Sequence, residues 1–313
     1  MADELLGKRT IEFPAERSLG TLHVGRMEAL LRTSARVLDA RGRVTIEDGE
    51  LVELETATST DLAPLTRLAA NALWGITVAG SESERVMSET NLGHLARISG
   101  LDHLSLHGLS TTDAGFSALA ALSKLKSLSI SFMFRGITDG GFAAVARMEN
   151  LEHLYLFGVP VGDAAVAYLG PLGQLVHLEL SNTFVTDNGL ATISRLPQLE
   201  RLGIMYTQGT SRLTDTALAH ISNLTSLEHL SLYDTNTSDT GLAYIQGLVS
   251  LQYLALRGPR MRITDAGLLH IQSLGKLRTL DVEGLKDVTE AGISRLRRPG
   301  LTCTGPLASK GQD

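Results

Sequence analysis

Residues 175–198 read LVHLELSNTFVTDNGLATISRLPQ. Two periodicities meet in this stretch. Leu178 and Leu180 lie two apart, the alternation of a strand with one buried face. Leu190, Ile193 and Leu196 lie three apart, which marks one face of a short helix. Between them stands Thr186-Asp187, whose side-chain oxygens can accept hydrogen bonds from the unpaired N–H groups that open a helix. One strand and one short helix cannot enclose a core, so this unit needs copies of itself on either side.

The copies are present. Aligned on Leu-x-x-Leu-x-Leu, units start at Leu73, Leu101, Leu125, Leu151, Leu175, Leu199, Leu227, Leu251 and Leu277, at spacings of 28, 24, 26, 24, 24, 28, 24 and 26 residues. The helix pattern recurs in Phe116, Leu119 and Leu122 and in Leu242, Ile245 and Leu248. The Thr/Ser-Asp pair recurs at Thr112-Asp113, Thr138-Asp139, Thr214-Asp215, Ser238-Asp239 and Thr264-Asp265. Glycine often follows two residues after the Asp, at Gly115, Gly141, Gly189, Gly241 and Gly267. Helix propensity disfavours glycine there, so close packing of the helix start is its expected reason.

These units resemble the leucine-rich repeats, in the pattern L-x-x-L-x-L-x-x-T-x-h-T-D-x-G-L-x-x-L-x-x-L. They are most similar to the "TDxGL" repeats of bacterial proteins and to the F-box-associated and ribonuclease-inhibitor-like repeats. The resemblance implies an α/β solenoid shaped as a horseshoe, with a parallel sheet on the concave face and helices on the convex face. Strands spaced about 4.8 Å apart beside helices needing about 10 Å would bend the stack. The Asn or Cys that often follows the strand in this family is here Leu109, Met133, Val159, Thr183, Thr207, Thr235, Pro259 or Leu285, so no asparagine ladder is expected. Nothing upstream looks like an F-box, so a ubiquitin-ligase role does not carry over.

The array is expected over 58–303, about nine repeats plus a half-repeat in which Leu62, Leu65 and Leu68 keep the helix spacing. Residues 1–57 read as a small mixed α/β cap. In it Thr10–Phe13 and Leu19–Val24 alternate as strands, Met27–Leu38 is helix-like, and Val44–Ile46 with Leu51–Leu54 reads as a hairpin about a Gly-containing turn. FPAERSLGTLHV and ARGRVTIEDGELVEL are similar to a module that precedes such repeats in some bacterial proteins. Leu301–Cys303 reads as a last strand-like edge, and 304–313 as a flexible tail. An open strand edge at that end allows a weak homodimer; otherwise a monomer is expected.

Composition narrows the function. Hydrophobic residues make up 43% of the 313 and charged residues 20%, the balance of a globular chain. A net charge of −6, with scattered basic residues, argues against a nucleic-acid partner. No run of about 18 apolar residues occurs, so no membrane span is expected. The single cysteine, Cys303, and a charged start without an apolar segment point to a cytoplasmic protein. Asn223-Leu224-Thr225 matches a glycosylation sequon and is read as chance. No phosphate-binding loop, nucleophile elbow or zinc signature is present, so no catalytic residue, cofactor or metal is expected.

Recognition should sit on the strand residues between the leucines, which point away from the core. Two features mark these positions. His103, His153, His177 and His229 share one column, read either as repetition by duplication or as a pH-sensitive or metal-binding stripe with Glu179. Tyr155, Phe157, Met205, Tyr233 and Tyr253 bring large apolar groups to a face expected to be wet, joined by Arg201 and Arg257. Longer repeats carry inserts at 79–86, 132–136, 206–212 and 258–262, whose tips include Phe134, Arg135, Tyr206, Arg212, Arg260 and Arg262. These residues predict a non-catalytic scaffold that binds a protein through the concave face and insert loops. The alternatives are a bacterial effector or regulatory protein mimicking eukaryotic repeats, and an enzyme or metal-binding protein built on the histidine column.

Overall fold

In the computed structural model the described residues are 8–31, 35–80, 86–133, 136–207 and 213–305, and they form two compact units, 1–153 and 154–313.

The first unit opens with β1 (Arg9–Glu12), β2 (Thr21–Gly25), α1 (Met27–Leu31), β3 (Arg36–Asp39), β4 (Arg43–Ile46) and β5 (Leu51–Ala57). It continues with β6 (Gly75–Ala79), α2 (Glu89–Leu95), β7 (His103–His107), α3 (Asp113–Ser117) and β8 (Ser127–Ser131), and with 3₁₀ helices at Ala63–Arg67, Ala118–Ala121 and Gly141–Arg147. Its main sheet runs β3-β2-β5-β6-β7-β8, antiparallel up to β5 and parallel beyond. Two readings of the sequence are corrected here. Of the helix read over Met27–Leu38, the described helical residues are Met27–Leu31, and Arg36–Leu38 instead belong to β3, a strand paired with β2. The open edge of β2 offers backbone hydrogen bonds that outweigh the local helical preference. Nor do β4 and β5 form a hairpin. β4 pairs with β1 in a separate sheet, with Ile11 opposite Val44, while both edges of β5 are taken by β2 and β6. The turn at 47–50, closed by Glu50 N–H donating to the Glu47 carbonyl at 3.2 Å, hands the chain from one sheet to the other.

The second unit begins within β9 (His153–Phe157), after its first residue, and holds α4 (Asp163–Ala167), β10 (His177–Ser181), α5 (Asp187–Ile193), β11 (Arg201–Met205), α6 (Asp215–Ile221), β12 (His229–Tyr233), α7 (Asp239–Ile245), β13 (Tyr253–Arg257), α8 (Asp265–Leu268), β14 (Thr279–Asp281), α9 (Glu290–Ser294) and β15 (Thr302–Thr304). From β10 to β15 each strand pairs in parallel with the next, one repeat on. The expected rungs line the core: Leu178, Leu180, Leu202, Ile204, Leu230, Leu232, Leu254 and Leu256 are buried, as are Leu190 and Ile193 from the helix side.

The Thr-Asp pair does more than cap. The hydroxyl accepts from the helix start as expected, for example from Thr216 N–H to Thr214 Oγ1 at 3.2 Å and from Gly115 N–H to Thr112 Oγ1 at 3.0 Å. The carboxylate reaches the neighbouring repeat. Asp215 accepts from the Ser238 N–H at 2.7 Å and hydroxyl at 2.6 Å, and Asp113 accepts the same pair from Thr138 at 2.7 and 2.6 Å. Asp163, Asp187, Asp239 and Asp265 repeat the arrangement on Thr186, Thr214, Thr264 and Thr289. An aspartate ladder thus links successive helix starts. It also explains the glycines: a Cβ at Gly241 would lie 2.4 Å from Asp215 Oδ1, and one at Gly267 2.1 Å from Asp239 Oδ1.

Candidate recognition face

Because the leucines take one side of each strand, the residues between them must take the other. In the second unit the register aligns these into three rows across the strands. The first runs His177, Arg201, His229, Tyr253 and Thr279; the second Glu179, Gly203, Ser231, Ala255 and Asp281; the third Ser181, Met205, Tyr233 and Arg257. Tyr155 and Phe157 occupy the equivalent positions on β9.

The large side chains touch one another in an ordered way. The Tyr155 hydroxyl and His177 Nδ1 share a hydrogen bond of 3.2 Å, with the rings edge-on at 4.8 Å. His229 stacks on Tyr253 at 5.7 Å, and Tyr206 tilts against Tyr233 at 6.3 Å. The Arg257 guanidinium lies 5.5 Å from the centre of the Tyr233 ring, an attractive cation–π placement. Arg257 is also bound by Asp281 and, at 3.3 Å, by Glu283. Its pKa is raised above the ordinary guanidinium value, first by the hydrogen bond to Asp281. Burial raises the phenol pKa of Tyr155 and Tyr233. The middle row carries the small residues Gly203, Ser231 and Ala255, and Gly203 and Ala255 are buried beneath their neighbours.

Several apolar groups nonetheless reach solvent. Phe157 is 38% exposed, Tyr206 55% and, in the loop after β10, Phe184 43%. The left-handed turn that ends each strand also matters. Gly158 and Asn182 adopt it with little cost, whereas Tyr206 holds φ of 52°, a conformation that is unfavourable for a bulky L-residue. Phe184 was not singled out from the sequence. Its position in the turn after β10, outside the strand rows, hid it.

Among the described residues no cation pairs with Glu179. Its carboxylate lies over Gly203, where a Cβ would come within 1.9 Å of Oε2. Its hydrogen bond is a long one, 3.3 Å from the buried Ser181 hydroxyl. Burial raises its pKa above the usual carboxylate value, against a smaller lowering by Ser181.

The histidine column divides. In the second unit the Arg201 side chain stands between His177 and His229, and burial followed by the charge of Arg201 lowers the His229 pKa. In the first unit His103 stacks flat on Trp74 at 5.2 Å, and burial is the leading cause of its lowered pKa. The charge of His153 lowers it further, against the opposing pull of Glu53. Among the described residues no three His, Cys, Asp or Glu side chains converge to hold a metal ion. Of the insert residues, Phe134, Arg135 and Arg212 lie outside the described residues. Arg260 pairs with Asp234 at 3.1 Å, and Arg262 is exposed. Among the described residues no helix is long and apolar enough to cross a membrane.

In three dimensions the chain is similar to an internalin (inlF) of Listeria monocytogenes, at 21% identity over 77% of this chain, with a TM-score of 0.58. The match spans 62% of that protein's length, less than two thirds. A second internalin of the same organism (inlC2) is similar at 20% identity over 68% of this chain and 82% of its own, with a TM-score of 0.53. No protein-family model matches the chain, and no curated protein matches it in sequence. At these identities the likeness concerns the fold. Together with the leucine rungs it establishes that this chain has the leucine-rich-repeat solenoid fold.

Proposed function

We propose that this protein is a non-catalytic scaffold that binds another protein through the open sheet face of its second unit. One observation carries the reading. Tyr155, Phe157, Met205, Tyr206, Tyr233 and Tyr253 concentrate on one face in a chain that is only 4% aromatic. Clustered aromatic side chains with arginine at their margin match the anchor chemistry of protein interfaces. The internalin-like fold supports a binding role over a catalytic one. The TDxGL repeat type and the capping role of the first strands belong to the same reading, as does a reducing, cytoplasmic setting suited to the lone Cys303.

The test is affinity capture with the whole chain and with a Tyr155→Ala, Phe157→Ala, Tyr233→Ala triple variant. The expected result is partners retained by the wild type and lost by a variant that still folds. Equal capture by both would refute the face.

A further inference from the structure

Resting on that reading, we infer that Glu179 is the receptor for a lysine or arginine side chain, carried on the partner among apolar residues. A half-buried carboxylate ordinarily has a cation or several donors to offset its lost hydration. Among the described residues Glu179 has the single distant hydroxyl of Ser181. The nearest candidate cation, Arg201 on the adjacent strand, is exposed and makes no ion pair among the described residues. The other arginine on this face, Arg257, is already held by Asp281 and Glu283.

The surroundings add to the same sign. Glu200 and Glu228 lie close enough to His229 to oppose the lowering of its pKa, and Arg257 is outnumbered by its two carboxylate partners. On the face Glu179, Asp281 and Glu283 outnumber Arg201 and Arg257 by one, in an acidic chain, a balance that favours a basic segment over an acidic one. Tyr155 stands beside Glu179, near enough for that carboxylate to raise its phenol pKa. A carboxylate next to an aromatic ring can take a cation by charge and by the ring together. The apolar flanks follow from Phe157 and Met205 on the neighbouring row. From Glu179 to Asp281 the middle row crosses four strand steps, about 19 Å, which an extended segment of about six residues would span.

Selection of random peptides from a display library against the full-length protein tests this. The expected wild-type binders carry Lys or Arg beside aliphatic or aromatic residues. Their affinity should fall about tenfold or more on Glu179→Gln, and Glu179→Lys should shift selection towards acidic peptides. Binders without a basic residue, or with equal affinity for Glu179→Gln, would overturn the role of Glu179. If those same binders are lost by the Tyr155, Phe157, Tyr233 triple variant, the aromatic face itself stands. Binders retained by the triple variant would remove both. A wild-type protein that selects no peptide would overturn recognition of a short basic segment.

Discussion

On β7 and β8 the positions between the buried leucines hold His103, Ser105, His107, Ser127, Ser129 and Ser131; on β9 to β13 the same positions again include histidines and small residues (His153, His177, Ser181, Gly203, His229, Ser231 and Ala255) but add Tyr155, Phe157, Glu179, Arg201, Met205, Tyr233, Tyr253 and Arg257. Beneath both faces lies the same core of leucine and isoleucine, and beside both runs the same aspartate ladder. Fold stability therefore leaves these face positions free to differ. The first unit uses its freedom cheaply: small hydroxyls that water can solvate, and His107 sharing a hydrogen bond with Ser131. The second unit keeps features that cost stability: exposed aromatic rings and a half-buried carboxylate held by one long hydrogen bond. Costs that the fold does not require are what a recognition surface leaves behind.

The largest expected contrast is in binding. Replacing Tyr155, Phe157 and Tyr233 by alanine should weaken partner affinity by about a hundredfold or more, since interface anchors each contribute about 2 kcal/mol or more. Replacing Ser105 and Ser129 by alanine should leave it unchanged. Titration of a captured partner against both variants would read the difference, and equal losses would erase the distinction between the units.

The cores should show no such contrast. Leu178→Ala in the second unit and Leu128→Ala in the first should each cost about 2–5 kcal/mol in urea unfolding, because both side chains are fully buried and leave a cavity. A smaller and again matched loss, about 1–3 kcal/mol, is expected from Asp215→Ala and Asp113→Ala, which strip the next repeat of two hydrogen bonds. A ladder that mattered in only one unit would contradict its repeat-wide role.

The core was readable from sequence because its periods, two then three, survive in every repeat. The ladder was only half readable. The sequence shows six aspartates beside a Thr or Ser, but not Asp163, which follows Gly162; a cap needs one oxygen, and the Thr hydroxyl supplies it. The remaining carboxylate, together with the glycine it crowds in the next repeat, was the signal that the pair also works between repeats. The cap misled because strand partners there are chosen across the fold. Nothing local to Val44–Ile46 says that β1 will take it and that β2 and β6 will take β5. On the face, the residues between the rungs were legible by alternation alone. Their pairings were not: ring contacts such as Tyr155 with His177 and His229 with Tyr253 depend on which repeat sits next door.

The smallest effects sharpen the idea of retained cost. Burial raises the folded pKa of Glu179, so the folded state holds its proton more tightly than the unfolded chain. The ionised side chain thus lowers stability above that raised pKa, and the penalty disappears as pH falls below the ordinary carboxylate value. Glu179→Gln should therefore raise stability slightly at neutral pH, with the gain fading in acid. His229 has the opposite sign, its lowered pKa removing stability as pH falls below the ordinary imidazole value, and it supplies a control within the same face. Tyr206→Asn, which tolerates the left-handed turn, should gain up to about 1 kcal/mol in thermal melts while weakening binding.

The most direct measurement is a thermal melt of the Tyr155→Ala, Phe157→Ala, Tyr233→Ala protein run beside partner capture from the same preparation. If the face exists for recognition, the melt should stay near wild type, well above that of Leu178→Ala, while capture disappears. A melt that drops as far as the leucine variant's, or capture that persists, would show that these rings serve the fold and not a partner.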